Sequence, residues 1–262
     1  QCQSLPLETI LKACAPGQFE ITLSHSHDVV KACDSAVLLK RLIKGVALNH
    51  GFEATFMAKP YGLEAGNGCH VHLSLLDASG SNVFAADNGN PLGTRVLHHA
   101  MAGLLELMPD SMAIFAPNLN SFRRFQPGLY VPMAPTWGFD NRSVALRIPS
   151  GANDARRIEH RVAGADVNPY LLLAVLLASI EHGLNRQLMP PAPVTGNAYE
   201  QFAPTLTNSW QQALDRLERN ETLNEALGHD FVHVFIANRR AERELAMQTV
   251  SALEYAWYLK HV

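Results

Sequence analysis

Apolar residues at Val29, Val30, Cys33, Val37, Leu38 and Leu42 recur at three- and four-residue spacing. That period predicts a core-facing helix capped by Asp28, running to His50 and closed by Gly51. The same spacing predicts helices over Gly93–Leu107 and Pro169–Leu184, the second entered through Asn168 with Pro169 in its first turn. Further helices are predicted at Ser209–Asn220, at Glu221–Leu227 and over most of Asp230–His261, and a short one at Leu7–Cys14, stopped by Pro16-Gly17. Alternation of Phe19, Ile21 and Leu23 with Glu20 on the opposite side predicts a strand. Strands are also expected at Phe52–Ala58, at His70–Leu75 before a turn at Ala78-Ser79-Gly80-Ser81, at Ser143–Ile148 and at Arg157–Val162. Lys59–Cys69 reads as a Gly-rich loop, and Ala116–Trp137 as an irregular stretch rich in Pro, Arg and aromatic residues. Met189-Pro190-Pro191-Ala192-Pro193 marks a surface crossing, and no repeat or shift in composition divides the chain.

With 262 residues, 47% hydrophobic and 17% charged, the chain is long and apolar enough to bury a core, which excludes disorder. The formal charge of -3, from 21 basic against 24 acidic residues, offers no basic field for nucleic acid or an anionic membrane. The longest apolar run, Tyr170 to Ile180, is short of the ~20 residues of a membrane helix, so no membrane partner is expected. Cys2, Cys14, Cys33 and Cys69 form no CxxC pair, which argues against a zinc site or a disulfide framework and for a reducing, cytoplasmic setting. The start, Gln1-Cys2-Gln3-Ser4, has neither an initiator Met nor a signal pattern, and the chain is expected to be part of something longer.

Candidate chemistry concentrates in two places. His70-Val71-His72 on a strand projects both imidazoles from one face, about 7 Å apart. Solvent-facing histidines are the plain alternative, but the preceding Gly66-Asn67-Gly68 lets backbone approach a ligand closely and favours a metal or phosphate site. His25-Ser26-His27 has no such loop and reads as solvated surface. In Arg157-Ile158-Glu159-His160-Arg161, strand alternation places Arg157, Glu159 and Arg161 on one face. An exposed ion-pair ladder would account for that pattern alone. Arg123, Arg124, Arg142 and Arg147 add guanidiniums suited to carboxylate or phosphate, and together they point to an anionic substrate. The Gly66–Gly68 loop matches neither a Walker nor a dinucleotide pattern, and no Gly-x-Ser-x-Gly elbow supports a serine hydrolase.

Taken in order, Gly17-Gln18-Phe19-Glu20, Phe56-Met57-Ala58-Lys59-Pro60, Gly66-Asn67-Gly68-Cys69-His70-Val71-His72-Leu73-Ser74, Asn141-Arg142-Ser143 and Arg156-Arg157-Ile158-Glu159 resemble the glutamine synthetase superfamily, type I. The resemblance runs from about Leu5 to Val262. It implies an α+β fold, a curved, largely antiparallel sheet backed by helices, with residues 1–262 forming the C-terminal catalytic domain. It also implies a smaller N-terminal domain, which this chain lacks, and ring-type homo-oligomers whose sites form between subunits. Metal roles for Glu20, His70 and Glu159 follow from the resemblance, with Mg²⁺ or Mn²⁺ as the ion. So do an ATP-phosphate side of His72, Ser74, Arg147 and Arg157 and a glutamate side of Gly66, Arg124, Arg142 and Arg161, with Arg124 and Arg142 as catalytic arginines. The implied reaction phosphorylates the γ-carboxylate of glutamate and lets an amine displace the phosphate.

Three departures shape the expectation. Two metal-binding carboxylates of the family would lie upstream of Leu5 and are absent from the chain. Ala13 stands where a metal-binding Glu is usual, and Tyr130 stands where ammonia-using members carry a Glu. A phenol is a poor partner for ammonium, and Arg123-Arg124-Phe125-Gln126-Pro127-Gly128 with Ala134-Pro135-Thr136-Trp137-Gly138 also resembles the γ-glutamylpolyamine synthetase branch. The expected activity is ATP-dependent joining of glutamate to a polyamine or other primary amine, with Leu129, Tyr130 and Trp137 offering apolar surface to the amine. The isolated chain is expected to be weakly active or inactive. An ammonium-using glutamine synthetase and a non-catalytic nucleotide-binding paralogue are the alternatives.

Overall fold

The computed structural model of the chain describes residues 5–85, 92–126, 128 and 130–261. Strands β1 (Leu7–Lys12) and β2 (Phe19–Leu23) form a separate antiparallel two-stranded sheet. The predicted helix at Leu7–Cys14 is thereby corrected to a strand. A helix of so few residues gains little against its nucleation cost, whereas pairing Thr9 with Thr22 through Lys12 with Phe19 satisfies backbone groups on both strands. The turn closes through the Ala13 N–H, which donates to the Gln18 carbonyl at 2.9 Å, with Gly17 at a φ of 71°.

Helix α1 (Val29–Asn49) starts where expected, with the Asp28 carboxylate accepting from the Lys31 N–H at 3.0 Å. The strand expected at Phe52–Ala58 does not form. Its alternation is present, but no strand runs beside it among the described residues. Asn67 takes that place, donating from Nδ2 to the Met57 carbonyl and from its N–H to the Ala58 carbonyl, both at 2.8 Å.

The main sheet is built from β3 (Val71–Leu73), β4 (Trp137–Phe139), β5 (Leu146–Ile148) and β6 (Ile158–His160), in the order β3-β6-β5-β4. Its pairs are antiparallel except β4 with β5. Between β3 and β4 the chain forms α2 (Arg95–Leu107) and the short α3 (Met112–Phe115) and α4 (Leu119–Phe122). After the sheet come α5 (Pro169–Asn185), α6 (Ala198–Gln201), α7 (Trp210–Arg219), α8 (Glu221–Leu227), α9 (His229–Met247) and α10 (Ala252–Tyr258). The helical stretch predicted over Asp230–His261 breaks before Ser251, which with Glu254 forms a capping box on α10.

One face of the main sheet is apolar: Leu146, Ile148 and Ile158 are buried in the same core as Leu104 and Met101 of α2 and Leu172 and Leu176 of α5. The α2–α5 crossing is close because Gly103 and Gly183 meet there. A Cβ on Gly103 would lie 2.0 Å from the Ser179 carbonyl oxygen, and one on Gly183 would lie 2.1 Å from that of His99. No helix among the described residues is long and apolar enough to cross a membrane. The result is an α+β fold with small sheets backed by helices.

Candidate active site

Strand register assembles the site. His72 pairs with Glu159 across β3 and β6, and Arg147 pairs with Glu159 across β5 and β6. Residues opposite one another on neighbouring strands share a face, so His72, Glu159 and Arg147 form one row on the side away from the core. Alternation sends Ile158 and His160 the other way, and both are fully buried.

Glu159, only 3% exposed, is the hub of this row. Its Oε1 accepts from Arg161 Nη1 at 2.6 Å and lies 3.2 Å from His70 Nδ1, and its Oε2 accepts from Arg147 Nη1 at 2.9 Å. Burial alone would raise its carboxyl pKa, but the His70 hydrogen bond and the Arg161 charge, with Arg147 behind them, hold it well below the usual carboxylate range. Glu159 is therefore ionised at neutral pH. Arg147 is shared with Asp140, which the sequence reading did not single out and which sits at a φ of 42°. Arg157 donates from Nε to His72 Nδ1 at 3.1 Å, which makes that nitrogen the acceptor of a neutral imidazole. Ser74 donates to the Arg156 carbonyl at 3.1 Å.

A carboxylate oxygen and an imidazole nitrogen about 3 Å apart have the spacing of adjacent ligands on an octahedral ion with bonds near 2.1 Å, and Glu159 keeps lone pairs beyond the three contacts named. His70 and Glu159 therefore fit a divalent cation as part of a donor set. Glu20, exposed on β2, belongs to the other sheet. Among the described residues no three His, Cys, Asp or Glu side chains are grouped to hold a metal. What joins Glu20's hairpin to the main site is Gln18: its Oε1 accepts from the Ala15 N–H at 3.0 Å, while its Nε2 donates to the Gly66 carbonyl at 3.0 Å and to Asn67 Oδ1 at 2.7 Å. Gln18 stood inside a recognised motif, yet only the tertiary contact reveals this tie.

The glutamate-side candidates fall into two groups. Arg124 is 3% exposed and donates from Nη1 to the Val162 carbonyl at 2.8 Å. Burial pulls its guanidinium pKa down to about 10. Gly66 packs against it so closely that a Cβ would stand 2.8 Å from Arg124 Cγ and 2.5 Å from the Ala58 carbonyl oxygen. Arg161 is also buried, whereas Arg142 is exposed. Arg142 and Arg147 line an open cavity of about 560 Å³ with Phe139, Asp140 and the 193–196 segment. Tyr130 is 65% exposed with a φ of 56°. Trp137 is corrected: it is 3% exposed, donates from Nε1 to the Pro191 carbonyl at 2.7 Å and belongs to the core. An aromatic residue on a short edge strand fills the core as readily as a site, and spacing does not separate the two. Leu129 lies outside the described residues. His160 was not anticipated either; it packs on Phe115 with ring centroids 4.6 Å apart, and burial pushes its pKa down to about 3.

One ionised glutamate held between two arginines and an imidazole, beside an arginine-lined cavity, is an arrangement of charge suited to an anion. The chain belongs to the glutamine synthetase family, matching its catalytic domain over residues 1–258. It is 43% identical over 261 residues to the γ-glutamylputrescine synthetase of Escherichia coli (strain K12), covering 100% of this chain and 55% of that protein. It is 36% identical over 256 residues to a glutamate–isopropylamine ligase of Pseudomonas sp, covering 97% of this chain and 56% of the relative. The solved GmaS/ADP complex superposes with a TM-score of 0.88 at 29% identity, covering 98% of this chain and 60% of that one. The chain spans about half the length of the curated relatives it matches.

Proposed function

We propose that this chain is the catalytic domain of an ATP-dependent glutamate–amine ligase that joins the γ-carboxylate of glutamate to a primary amine through γ-glutamyl phosphate. The observation that carries the reading is the Arg147–Glu159–Arg161 cluster with His70 at its edge. Phosphoryl transfer needs fixed positive charge around a group that carries several negative oxygens, and here the guanidiniums are held in place before substrate arrives. A divalent cation held by His70 and Glu159, with Glu20 and carboxylates from elsewhere in the assembled enzyme, would neutralise phosphate charge. Arg147 and Arg157, with His72 and Ser74, face the ATP phosphates in this reading, while Arg124, Arg142, Arg161 and Gly66 face glutamate. Arg142 is the exposed guanidinium free to follow the substrate; Arg124 shapes the Gly66 loop from beneath. A ring of subunits completing one another's sites accompanies the reading.

The amine is placed at Tyr130. Ammonium must lose a proton before it attacks, and a phenol hydroxyl, unlike a carboxylate, offers no full negative charge to attract the cation and is a poor acceptor of that proton. An alkylamine gains apolar contact with the ring, and the names of the Escherichia coli and Pseudomonas relatives, which use putrescine and isopropylamine, support the same choice. The test is phosphate release by the full-length enzyme with ATP and glutamate: primary amines such as putrescine are expected to exceed ammonium in kcat/KM, and Tyr130→Glu is expected to narrow the gap. Ammonium turned over as well as every amine tried would refute the amine assignment.

A further inference from the structure

Arg147 is gripped by two carboxylates. Its Nη1 donates to Glu159 Oε2 at 2.9 Å, while Nε, at 3.1 Å, and Nη2 both donate to Asp140 Oδ1. A guanidinium carries five N–H donors, so one N–H on each terminal nitrogen is left without a partner among the described residues. Arg147 and Asp140 both line the cavity of about 560 Å³. Uncommitted guanidinium donors at a cavity wall suit an anionic ligand.

The parallel pairing of β4 with β5 brings Asp140 to this position. Gly138 stands opposite Arg147, and just past the end of β4 the Asp140 N–H donates to the Ile148 carbonyl at 2.9 Å. Ser150 Oγ donates to Asp140 Oδ2 at 3.3 Å. The φ of 42° at Asp140 lies in the left-handed region, which Asp and Asn adopt more readily than other side chains. The Arg147 hydrogen bonds hold the Asp140 carboxyl below the usual carboxylate range, so it is ionised at neutral pH.

The Asp140 side chain is 53% exposed, and an ion pair with so exposed a partner contributes little to stability. What Asp140 changes is the freedom of Arg147. One contact to Glu159 leaves a long side chain able to turn about it, whereas a second carboxylate on the Nε edge fixes the plane of the guanidinium. Donors fixed in advance need no reorganisation as charge develops on a phosphoryl group. We propose that Asp140 is a positioning residue, which locks Arg147 through Nε and Nη2 so that the two remaining N–H groups are presented to the ATP phosphates. The assignment rests on the ligase reading above, in which Arg147 faces ATP. It adds to that reading a residue outside the motifs that carried the family resemblance, one place ahead of Asn141-Arg142-Ser143. A carboxylate that merely competed with phosphate for Arg147 would act with the opposite sign.

The experiment uses the full-length enzyme with Asp140→Gly, which removes the carboxylate and tolerates the left-handed backbone, and with Asp140→Asn, which keeps an oxygen acceptor. Phosphate release, Mg-ATP binding by calorimetry and Tm are measured. Asp140→Gly is expected to lower kcat/KM for ATP about tenfold or more, as loss of orientation does, and to weaken Mg-ATP binding. KM for glutamate should stay within about twofold of the wild-type value and Tm within about 4 °C, and Asp140→Asn should recover most of the loss. In an Arg147→Ala background Asp140→Gly should have no further effect, because a residue that acts through Arg147 has nothing left to act on. Wild-type turnover by Asp140→Gly, tighter Mg-ATP binding, a larger fall in Tm, or an undiminished loss in the Arg147→Ala background would overturn the assignment while leaving the ligase reading intact. A wild type that binds no Mg-ATP and releases no phosphate with any amine would overturn the ligase reading and this assignment with it.

Discussion

Alanine substitutions at Gly103 and Gly45 are expected to move stability in opposite directions. Both glycines lie inside helices, Gly103 in α2 and Gly45 in α1. Replacing glycine in a helix interior lowers the conformational entropy of the unfolded chain and is worth about 1 kcal/mol in favour of folding. At Gly45 nothing lies within 4 Å of the added Cβ, so that gain stands alone. At Gly103 the Cβ would lie 2.0 Å from the Ser179 oxygen, 2.6 Å from the Gly183 nitrogen and 2.8 Å from the Gly183 Cα. Ordinary contact begins near 3.5 Å. All three neighbours are backbone, so no side-chain rotation relieves the overlap and α2 and α5 must separate. Overpacking of this kind costs about 3 kcal/mol, the upper end of the usual range. After the propensity gain the net loss is about 2 kcal/mol. At about 2–4 °C per kcal/mol for a chain of this size, Gly103→Ala should lower Tm by about 4–8 °C and Gly45→Ala should raise it by about 2–4 °C. Urea and thermal denaturation followed by far-ultraviolet circular dichroism measure both. Gly103→Ala at or above wild-type stability would refute the close crossing.

Glu159→Gln leaves the buried Arg161 without its counter-charge, and breaking such a pair costs about 3 kcal/mol or more; urea denaturation should show that loss, and wild-type stability would refute the hub assignment. On α9, Arg240 bonds Asp215 and Glu218 of α7 at 2.8 Å each and holds both carboxyl pKa values below their ordinary range. A depressed carboxyl contributes stability that is present above its unfolded pKa and is lost as pH falls through its folded one. These pairs are partly exposed and screened, so Arg240→Met should cost only about 1 kcal/mol at neutral pH. The difference from wild type should shrink as pH falls below about 4, and a difference that persists in acid would exclude the ion pairs as its source.

Local chemistry is what one strand or helix carries in its own order, and that part of the protein could be read directly. Asp28 and Asn168 predict α1 and α5 because a cap is satisfied within a few residues of itself. The alternation of Glu159 against Ile158 needs only a pleated backbone, and it is met: Glu159 stands opposite His72 and Arg147 while Ile158 joins the core. The ordered motifs from Gly17 to Glu159 were sufficient to indicate the family.

Properties that depend on a partner far along the chain were not open to that reading. Leu7–Lys12 has the apolar spacing of a helix and becomes a strand because β2 lies beside it, while Phe52–Ala58 has the alternation of a strand and lacks a neighbour to pair with. That Glu159 stands between Arg147 and His70 is a matter of register across β3, β6 and β5. The burial of Trp137 and the meeting of Gly103 with Gly183 likewise follow from packing. The sequence by itself determined which groups were available and which face of an element each takes, since backbone geometry sets both. Only the tertiary structure decided which groups meet, because register and close packing are chosen by the free energy of the whole fold and not by any one segment.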